Sequence, residues 1–344
     1  DEWTKLDREM FGSVVSSTGT RFAKDKKYLQ AVLDLWKQQE EQNTYEGHEI
    51  ETMPWTYYDD MERPLYGHIV RPTATNKDNK NSNSKQNNLR PGILLYHTAA
   101  GPQDVFLFFK ASQLAKLGCV VLICDIFSDP TGWAWDSNRT KYNQVRNDLA
   151  RDDHWLLKSR VLASIQTLLS TTFSLSTSSS SVKSDDEQNA NTTKGTLHVD
   201  KDRLAAIGWC LGAQPILEVL RVQSWSFFDF SVPTLISFHG VYHRKELPME
   251  KEDKNHGRQE QLQRQVLICN GINDPFVSQE DLQRTKKFME SFDYKVDILQ
   301  YNNAWHGFTN PAQAFNDNDA FDYNQAAAQS SWESAIELIQ RTLL

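Results

Sequence analysis

The sequence predicts an α/β domain with a mainly parallel sheet of about eight strands, flanked by helices and preceded by a helical extension. Short apolar runs of strand length alternate with helix-like segments over most of the chain, which is typical of a parallel sheet. With 344 residues, 39% hydrophobic and 24% charged, the chain can bury the core that such a sheet needs. A glycine-flanked turn between an apolar run and a helix-like segment adds a third indication.

The N-terminal part contains one clear helical pattern. Between residues 24 and 42, Leu29, Val32, Leu33 and Trp36 recur at helical spacing, and the opposite face is rich in Lys, Gln and Glu. We expect residues 1–45 to form an extension whose apolar stripe packs on the main domain, with a dimer contact as the alternative. The main domain then covers residues 46–344.

Eight strand-like runs follow in order. Residues 49–72 predict two antiparallel strands joined around Asp59 and Asp60, and residues 91–127 predict a strand, a helix ending at Gly118, and a second strand. Four later apolar runs complete the sheet: residues 203–208, 231–240, 263–271 and 295–305. A last helix through Trp332 and Leu343 closes the domain. Two polar, low-complexity tracts near 73–89 and 174–195 are predicted to be insertions on the surface.

The chain is organised around Gly208, Trp209, Cys210, Leu211 and Gly212, which form a G-x-C-x-G pattern between an apolar run and a helix-like segment. This is the pattern of a nucleophile elbow with cysteine in place of serine. Glycines allow the tight turn, and the helix N-terminus favours a thiolate and can hold an oxyanion. The alternative is an ordinary buried cysteine in a strand–turn–helix joint.

Two later segments favour catalysis. Asp274 follows the apolar run VLICNG, and His306 follows the run KVDILQYNNAW. The order nucleophile, acid, histidine is that of α/β-hydrolases. A turn aspartate is the alternative for Asp274, and Asp281 and Asp293 are rivals that fall in or beside the next helix.

The loop after the strand PGILLYH supplies the second oxyanion-hole N–H in α/β-hydrolases, so we expect Ala99 or Thr98 to act beside Leu211. His97 ends this strand. It is either a hydrogen-bonded structural histidine or part of the pocket.

The sequence resembles the dienelactone hydrolase family in GWCLG, LISFHG, NGINDPFV and HGFTNP, and the resemblance runs from about Tyr45 to the C-terminus. It implies an α/β-hydrolase fold, a Cys–His–Asp triad and hydrolysis of a lactone or ester. The family prototype has a glutamate where Thr98 stands and a carboxylate-binding arginine where Asn310 stands.

The substrate pocket has weaker candidates. Trp133 and Trp135 lie in a predicted cap and Trp209 in the elbow, so these rings either line an apolar pocket or pack the cap on the sheet. Arg139 and Arg146 either hold an acidic substrate or are solvated.

We therefore expect a hydrolase in which Cys210 attacks the carbonyl of an ester or lactone, His306 transfers protons and Asp274 orients His306. This chemistry requires no metal and no cofactor. The alternatives are a thioesterase or acyl transferase with the same triad, and a catalytically silent binding protein with the same fold.

Composition limits the partners. A net charge of −8 argues against nucleic acid as a partner, and no apolar run is long enough to span a membrane.

Of the four cysteines, Cys119, Cys124 and Cys269 lie in strand-like runs, which favours reduced thiols and a cytoplasmic location. Because the chain begins at Asp1, a removed targeting presequence is the alternative. The sequence leaves open whether the protein is a monomer or a homodimer.

Overall fold

The computed structural model describes residues 26–41, 47–73, 89–129, 139–174, 196–225, 229–242, 264–316 and 318–344. These residues confirm the predicted α/β architecture, because eight strands form one mainly parallel sheet with helices on both faces. Nearly all of the two predicted insertions, together with Trp133 and Trp135, lie outside the described residues.

The strands follow the predicted order. Those of the described residues are β1 (Ile50–Tyr58), β2 (Pro64–Pro72), β3 (Leu89–Tyr96), β4 (Val120–Cys124), β5 (Phe173–Ser174), β6 (Thr196–Trp209), β7 (Thr234–Phe238), β8 (Gln265–Gly271) and β9 (Lys295–Tyr301). The sheet order is β1-β2-β4-β3-β6-β7-β8-β9, and the short β5 pairs with β6. The opening hairpin β1–β2 and the β2–β4 pair are antiparallel, as is β5–β6, whereas all other pairs are parallel.

Seven α-helices are described: α1 (Lys26–Glu41), α2 (Val105–Lys116), α3 (Arg139–Leu149), α4 (Trp155–Ser170), α5 (Ala213–Gln223), α6 (Gln279–Glu290) and α7 (Gln325–Leu343). Helices α4, α5 and α6 cover one face of the sheet, and α1, α2 and α7 cover the other. Successive residues of a strand point to opposite faces, so in β3 Leu94 belongs to the first core and Ile93 and Leu95 to the second. No described helix combines the length and the apolar composition needed to cross a membrane.

Helix α1 packs on the same chain through the predicted apolar stripe. Val32, Leu33 and Trp36 are buried, and the ring of Trp36 lies 5.2 Å from that of Phe109 in α2. The helix also contacts the 3-10 turn Pro311–Phe315, which follows the loop of His306. The extension therefore supports one side of the site described below.

The parallel strands place the candidate residues at one edge. Tyr96 is paired with Gly208, Gly208 with Ser237, and Phe238 with Cys269, so β3, β6, β7 and β8 reach the same edge of the sheet. In an open parallel sheet, ligands bind at the carboxyl ends of the strands. The loops that follow these strands carry Thr98, Cys210, His239 and Asp274.

Candidate active site

Cys210 occupies a strained turn. It is the first residue of the 3-10 turn Cys210–Gly212 that connects β6 to α5, and its φ of 54° lies in the left-handed region. A Cβ at position 208 would lie 2.1 Å from the carbonyl oxygen of Gly212, and a Cβ at position 212 would lie 2.3 Å from that of Tyr96. Only glycine allows the backbone to approach this closely, so the flanking glycines determine the shape of the elbow.

Three predicted residues form one hydrogen-bonded chain. His306 Nε2 lies 3.0 Å from Cys210 Sγ, and His306 Nδ1 lies 2.8 Å from Asp274 Oδ2. The second carboxylate oxygen, Asp274 Oδ1, accepts a hydrogen bond of 2.9 Å from the backbone N–H of Phe276. Both carboxylate oxygens therefore have donors, and the imidazole has one nitrogen toward the sulfur and the other toward an acceptor.

The two neighbours of His306 favour its protonated form. Burial alone would lower the pKa of His306, but the nearby Cys210 sulfur and the hydrogen bond that Nδ1 donates to Asp274 raise it well above its ordinary value. The rings of Phe276 and Phe321 pack edge-on against the imidazole at 5.0 and 5.2 Å. These contacts hold the ring in place and keep its surroundings apolar, while Cys210 remains partly exposed.

A cavity of about 490 Å³ opens over the sulfur. This size is ordinary for a small-molecule site. The predicted residues that line it are Thr98, Ala99, Trp209, Cys210, Leu211, His306 and Asn310. Asp274 lies behind His306 and is buried, as expected of a group that orients a base.

The two residues predicted to form the oxyanion hole lie beside the cavity. Ala99 and Leu211 both line the cavity beside Cys210. The backbone N–H groups of Ala100 and Gly101 donate to Thr98 Oγ1 and Thr98 O, at 3.1 and 3.2 Å. Because these two donors are engaged within the turn, the candidates for the second oxyanion donor are the N–H groups of Ala99 and Thr98, as predicted from the sequence.

His97 does not line the cavity, which corrects its inclusion among the pocket residues. It is fully buried, its Nδ1 donates to Thr98 O at 2.6 Å, and its Nε2 accepts from the N–H of Ile126 at 3.1 Å. Burial lowers its pKa to about 4, so the ring is neutral. His97 instead ties the end of β3 to the loop after β4.

The other predicted pocket residues differ in whether their side chains are exposed to the cavity. Asn310 lines the cavity, and its Oδ1 accepts from the N–H of Ala312 at 3.0 Å, which begins the 3-10 turn. Trp209 lines the cavity but is 1% exposed and stacks on Phe238. Arg146, on α3, is exposed and also lines the cavity, whereas the side chain of Arg139 lies outside the described residues.

Among the cavity residues that were not assigned a role from the sequence are His239 and Asp104. His239, at the end of β7, places its ring 4.9 Å from that of His306, and its Nε2 lies 3.0 Å from Thr309 Oγ1. Asp104 is the N-cap of α2 and lines the cavity with one carboxylate oxygen buried. The cap position of Asp104 was visible in the sequence as an aspartate before an apolar helix, but its closeness to Cys210 depends on the fold.

A mainly parallel sheet with a strained strand-to-helix turn at Cys210, and an aspartate and a histidine at the same edge, is the arrangement of an α/β-hydrolase. The model of the dienelactone hydrolase family matches residues 81–343, so the chain belongs to that family. It is a hydrolase of this class.

Two solved structures are similar to this fold, and one further protein is similar in sequence. The solved structure m3DLH has a TM-score of 0.62 and 21% identity, covering 86% of this chain and 99% of its own. A dienelactone hydrolase-like promiscuous phosphotriesterase, P91, from metagenomic libraries has a TM-score of 0.59 and 19% identity, with the same coverage. An uncharacterised protein of Caenorhabditis elegans, K02A2.1, is 26% identical over 151 residues, which are 44% of this chain and 87% of that protein.

Proposed function

We propose that the chain hydrolyses carboxylic esters or lactones with Cys210 as nucleophile, His306 as general base and acid, and Asp274 as the residue that orients His306. The supporting observation is the continuous hydrogen-bonded chain from Cys210 Sγ through His306 to Asp274 Oδ2, with distances of 3.0 and 2.8 Å. A nucleophile within hydrogen-bond reach of a base, itself oriented by a third group, is the arrangement that acyl transfer needs.

The first half of the reaction forms a thioester. Cys210 Sγ attacks the carbonyl carbon while His306 Nε2 holds the thiol proton, and the carbonyl π electrons move to the oxygen. The N–H groups of Leu211 and Ala99 stabilise this oxyanion. When the intermediate collapses, the C–O bond breaks and the leaving oxygen takes the proton from His306. In a lactone this oxygen remains attached to the acyl chain as a hydroxyl group.

The second half releases the acid. Water attacks the thioester carbonyl and gives a proton to His306, a second oxyanion forms in the same hole, and the C–S bond breaks. The sulfur leaves as a thiolate while His306 keeps the proton taken from water, which restores the starting state. Cys210 is partly exposed on a cavity wall, so water and substrate both have access to it.

The wall composition supports an uncharged substrate. Phe106, Phe276 and Phe321 line the cavity, and at position 310, where the family prototype has a carboxylate-binding arginine, Asn310 uses its Oδ1 to cap a turn. Neutral aryl or short-chain esters and lactones therefore fit better than the acidic dienelactone. Arg146, the cation on this wall, is exposed on α3.

The test is turnover of aryl esters and lactones by wild type and two variants. We expect Cys210→Ala and His306→Ala each to abolish turnover without unfolding the protein, because one removes the nucleophile and the other the base. Cys269→Ala is the matched control, since this cysteine is buried in β8 away from the cavity wall. Full activity of either active-site variant would refute the proposed roles.

The same experiment separates the alternatives. A thioesterase or acyl transferase would favour thioesters, or an added amine or alcohol acceptor over water, and would still need Cys210. A silent binding protein would show no turnover and no acylation selective for Cys210.

A further inference from the structure

Three buried polar atoms of residues around the cavity have no hydrogen-bond partner within the described part of the chain. They are Asp104 Oδ2, Trp209 Nε1 and His239 Nδ1, and each belongs to a residue that lines the cavity. Their side chains are 3%, 1% and 2% exposed, respectively. Buried polar atoms without partners are costly, so three of them around one cavity indicate a group that the substrate supplies.

Asp104 is the acceptor of this set. As the N-cap of α2 it uses only Oδ1, which accepts from the N–H of Phe106 at 3.0 Å, while Oδ2 remains unused. Burial raises the pKa of Asp104 to about 6, although the hydrogen bond from Phe106 opposes this change. The carboxyl group is therefore mainly ionised at neutral pH and is a strong acceptor for a donor in the cavity.

Trp209 supplies an unpartnered donor, its indole N–H. Its indole stacks on Phe238 with centroids 5.2 Å apart, and Phe106 contacts it edge-on at 5.9 Å. Phe106 is two residues beyond Asp104 and lines the cavity too. Phe106 therefore connects the two residues, because its N–H donates to Asp104 Oδ1 and its ring contacts the indole of Trp209.

Resting on the hydrolase function proposed above, we propose that Asp104 is a specificity-determining residue that accepts a hydrogen bond from a hydroxyl group of the substrate, away from the scissile carbonyl. A hydroxyl group can donate to Asp104, and unlike an ammonium group it can also accept from a donor such as the indole N–H of Trp209. An ammonium group satisfies Asp104 alone, a methyl group satisfies neither residue, and a carboxylate is repelled by Asp104. The substrate class is therefore hydroxylated esters or lactones.

The test uses phenyl esters whose acyl chains have equal length and end in methyl, hydroxyl, ammonium or carboxylate. A second series carries the same end groups on the alcohol side. For each protein the readout is the ratio of kcat/KM for an end group to that for methyl. We expect wild type to prefer hydroxyl over methyl by about tenfold or more in at least one series, the scale of a hydrogen bond to a charged group.

Two variants of Asp104 distinguish the role of its unpartnered Oδ2 from the role of its Oδ1 as the cap of α2. Asp104→Ser keeps a capping oxygen but removes Oδ2, and we expect it to bring the hydroxyl preference close to one. Asp104→Asn replaces Oδ2 by a donor, so the carboxylate ester should gain relative to the ammonium ester. Asp281→Asn is the control, because this carboxylate lies in the first turn of α6 and not on the cavity wall, and its ratios should equal those of wild type.

Two results would overturn the proposal. The first is kcat/KM values for the hydroxyl and methyl esters that lie within twofold of each other in both series, which would mean that water binds to these polar atoms. The second is a hydroxyl preference that persists in Asp104→Ser. Loss of the proposed function looks different, because wild type would then hydrolyse no ester of either series. In that case, calorimetric binding of a diol against the equally long monoalcohol, in wild type and Asp104→Ser, decides about Asp104 independently.

Discussion

The ring of His239 packs edge-on against the ring of His306, with centroids 4.9 Å apart and planes at 72°. His239 is fully buried, and burial together with the nearby His306 lowers its pKa well below the ordinary value. A neutral ring in this place supports the imidazole of His306 without adding a second positive charge beside it.

This contact predicts an effect on turnover. We expect His239→Asn to lower kcat about tenfold, because His306 loses lateral packing and small misplacements of a catalytic group are costly. Asparagine tolerates the positive φ of 39° at this position. Thr309→Val is the control, since it removes only the hydrogen bond to His239 and should cost less. A larger loss in Thr309→Val would show that the hydrogen bond, and not the ring contact, matters.

Asp274→Asn should leave a small residual activity. The amide cannot accept both hydrogen bonds that the carboxylate accepts from His306 and Phe276, so the imidazole loses its orientation and the stabilisation of its charged form. We expect kcat to fall about a thousandfold or more, with Cys210→Ala lower still. Steady-state kinetics on one aryl ester compares the variants, and unchanged activity of Asp274→Asn would remove Asp274 from the proposed mechanism.

The close packing of the elbow predicts that an alanine substitution in it costs more stability than one at a glycine of β3. In Gly212→Ala the new Cβ would lie 2.3 Å from the backbone oxygen of Tyr96, which cannot move without disturbing β3. In Gly92→Ala the Cβ would meet only side-chain methyl groups, with Val199 nearest at 2.5 Å. Thermal unfolding should show the larger loss for Gly212→Ala, about 3 kcal/mol or more. Equal losses would contradict the close approach of the elbow to β3.

Lys110 predicts a pH-dependent gain in stability. It is buried against the rings of Phe106, Phe109 and Trp332, and burial lowers its pKa from 10.5 to about 7. Between these pH values the unfolded chain binds a proton that the folded chain lacks, so wild-type stability rises with pH. Lys110→Met should therefore be more stable than wild type, by about 1–3 kcal/mol near neutral pH and less toward pH 10.5.

Denaturant unfolding at several pH values measures this difference. Lys116→Met, at the end of the same helix, is the control and should show no such trend with pH. A gain for Lys110→Met that stays constant from neutral pH to 10.5 would contradict a lowered pKa of Lys110.

Substrate charge gives a further prediction. We expect wild type to cleave neutral aryl esters with a higher kcat/KM than dienelactone, and Asn310→Arg to shift the balance toward the acidic substrate. Asn310→Asp preserves an acceptor for the N–H of Ala312 and should shift the balance the other way. A wild-type preference for dienelactone would mean that another cation, such as Arg146 on the cavity wall, binds the carboxylate.

The fold was predictable from the sequence because it depends on local patterns. Apolar runs of strand length, the helical stripe through Val32 and Trp36, and the spacing of Gly208, Cys210 and Gly212 are all visible along the chain. The closeness of Cys210, Asp274 and His306 followed from their order, because the carboxyl ends of parallel strands share one edge.

Other features depend on contacts between distant segments. His97 pairs with the loop after β4, and His239 meets His306 only when β7 and the last loop come together. His154 is buried with its Nδ1 3.3 Å from Glu218 Oε1 of α5, a residue far along the chain. No local pattern encodes such partners, so sequence reasoning could not assign them.

The most direct test of the central claim is to trap the covalent intermediate. Wild type is mixed with an aryl ester, quenched in acid at short times, digested and analysed by mass spectrometry. We predict an acyl group on the peptide that contains Cys210, formed in a burst of phenol equal to the enzyme concentration, and no adduct in Cys210→Ala. Turnover without an acyl group on Cys210, or an adduct on another residue in wild type, would contradict Cys210 as the nucleophile.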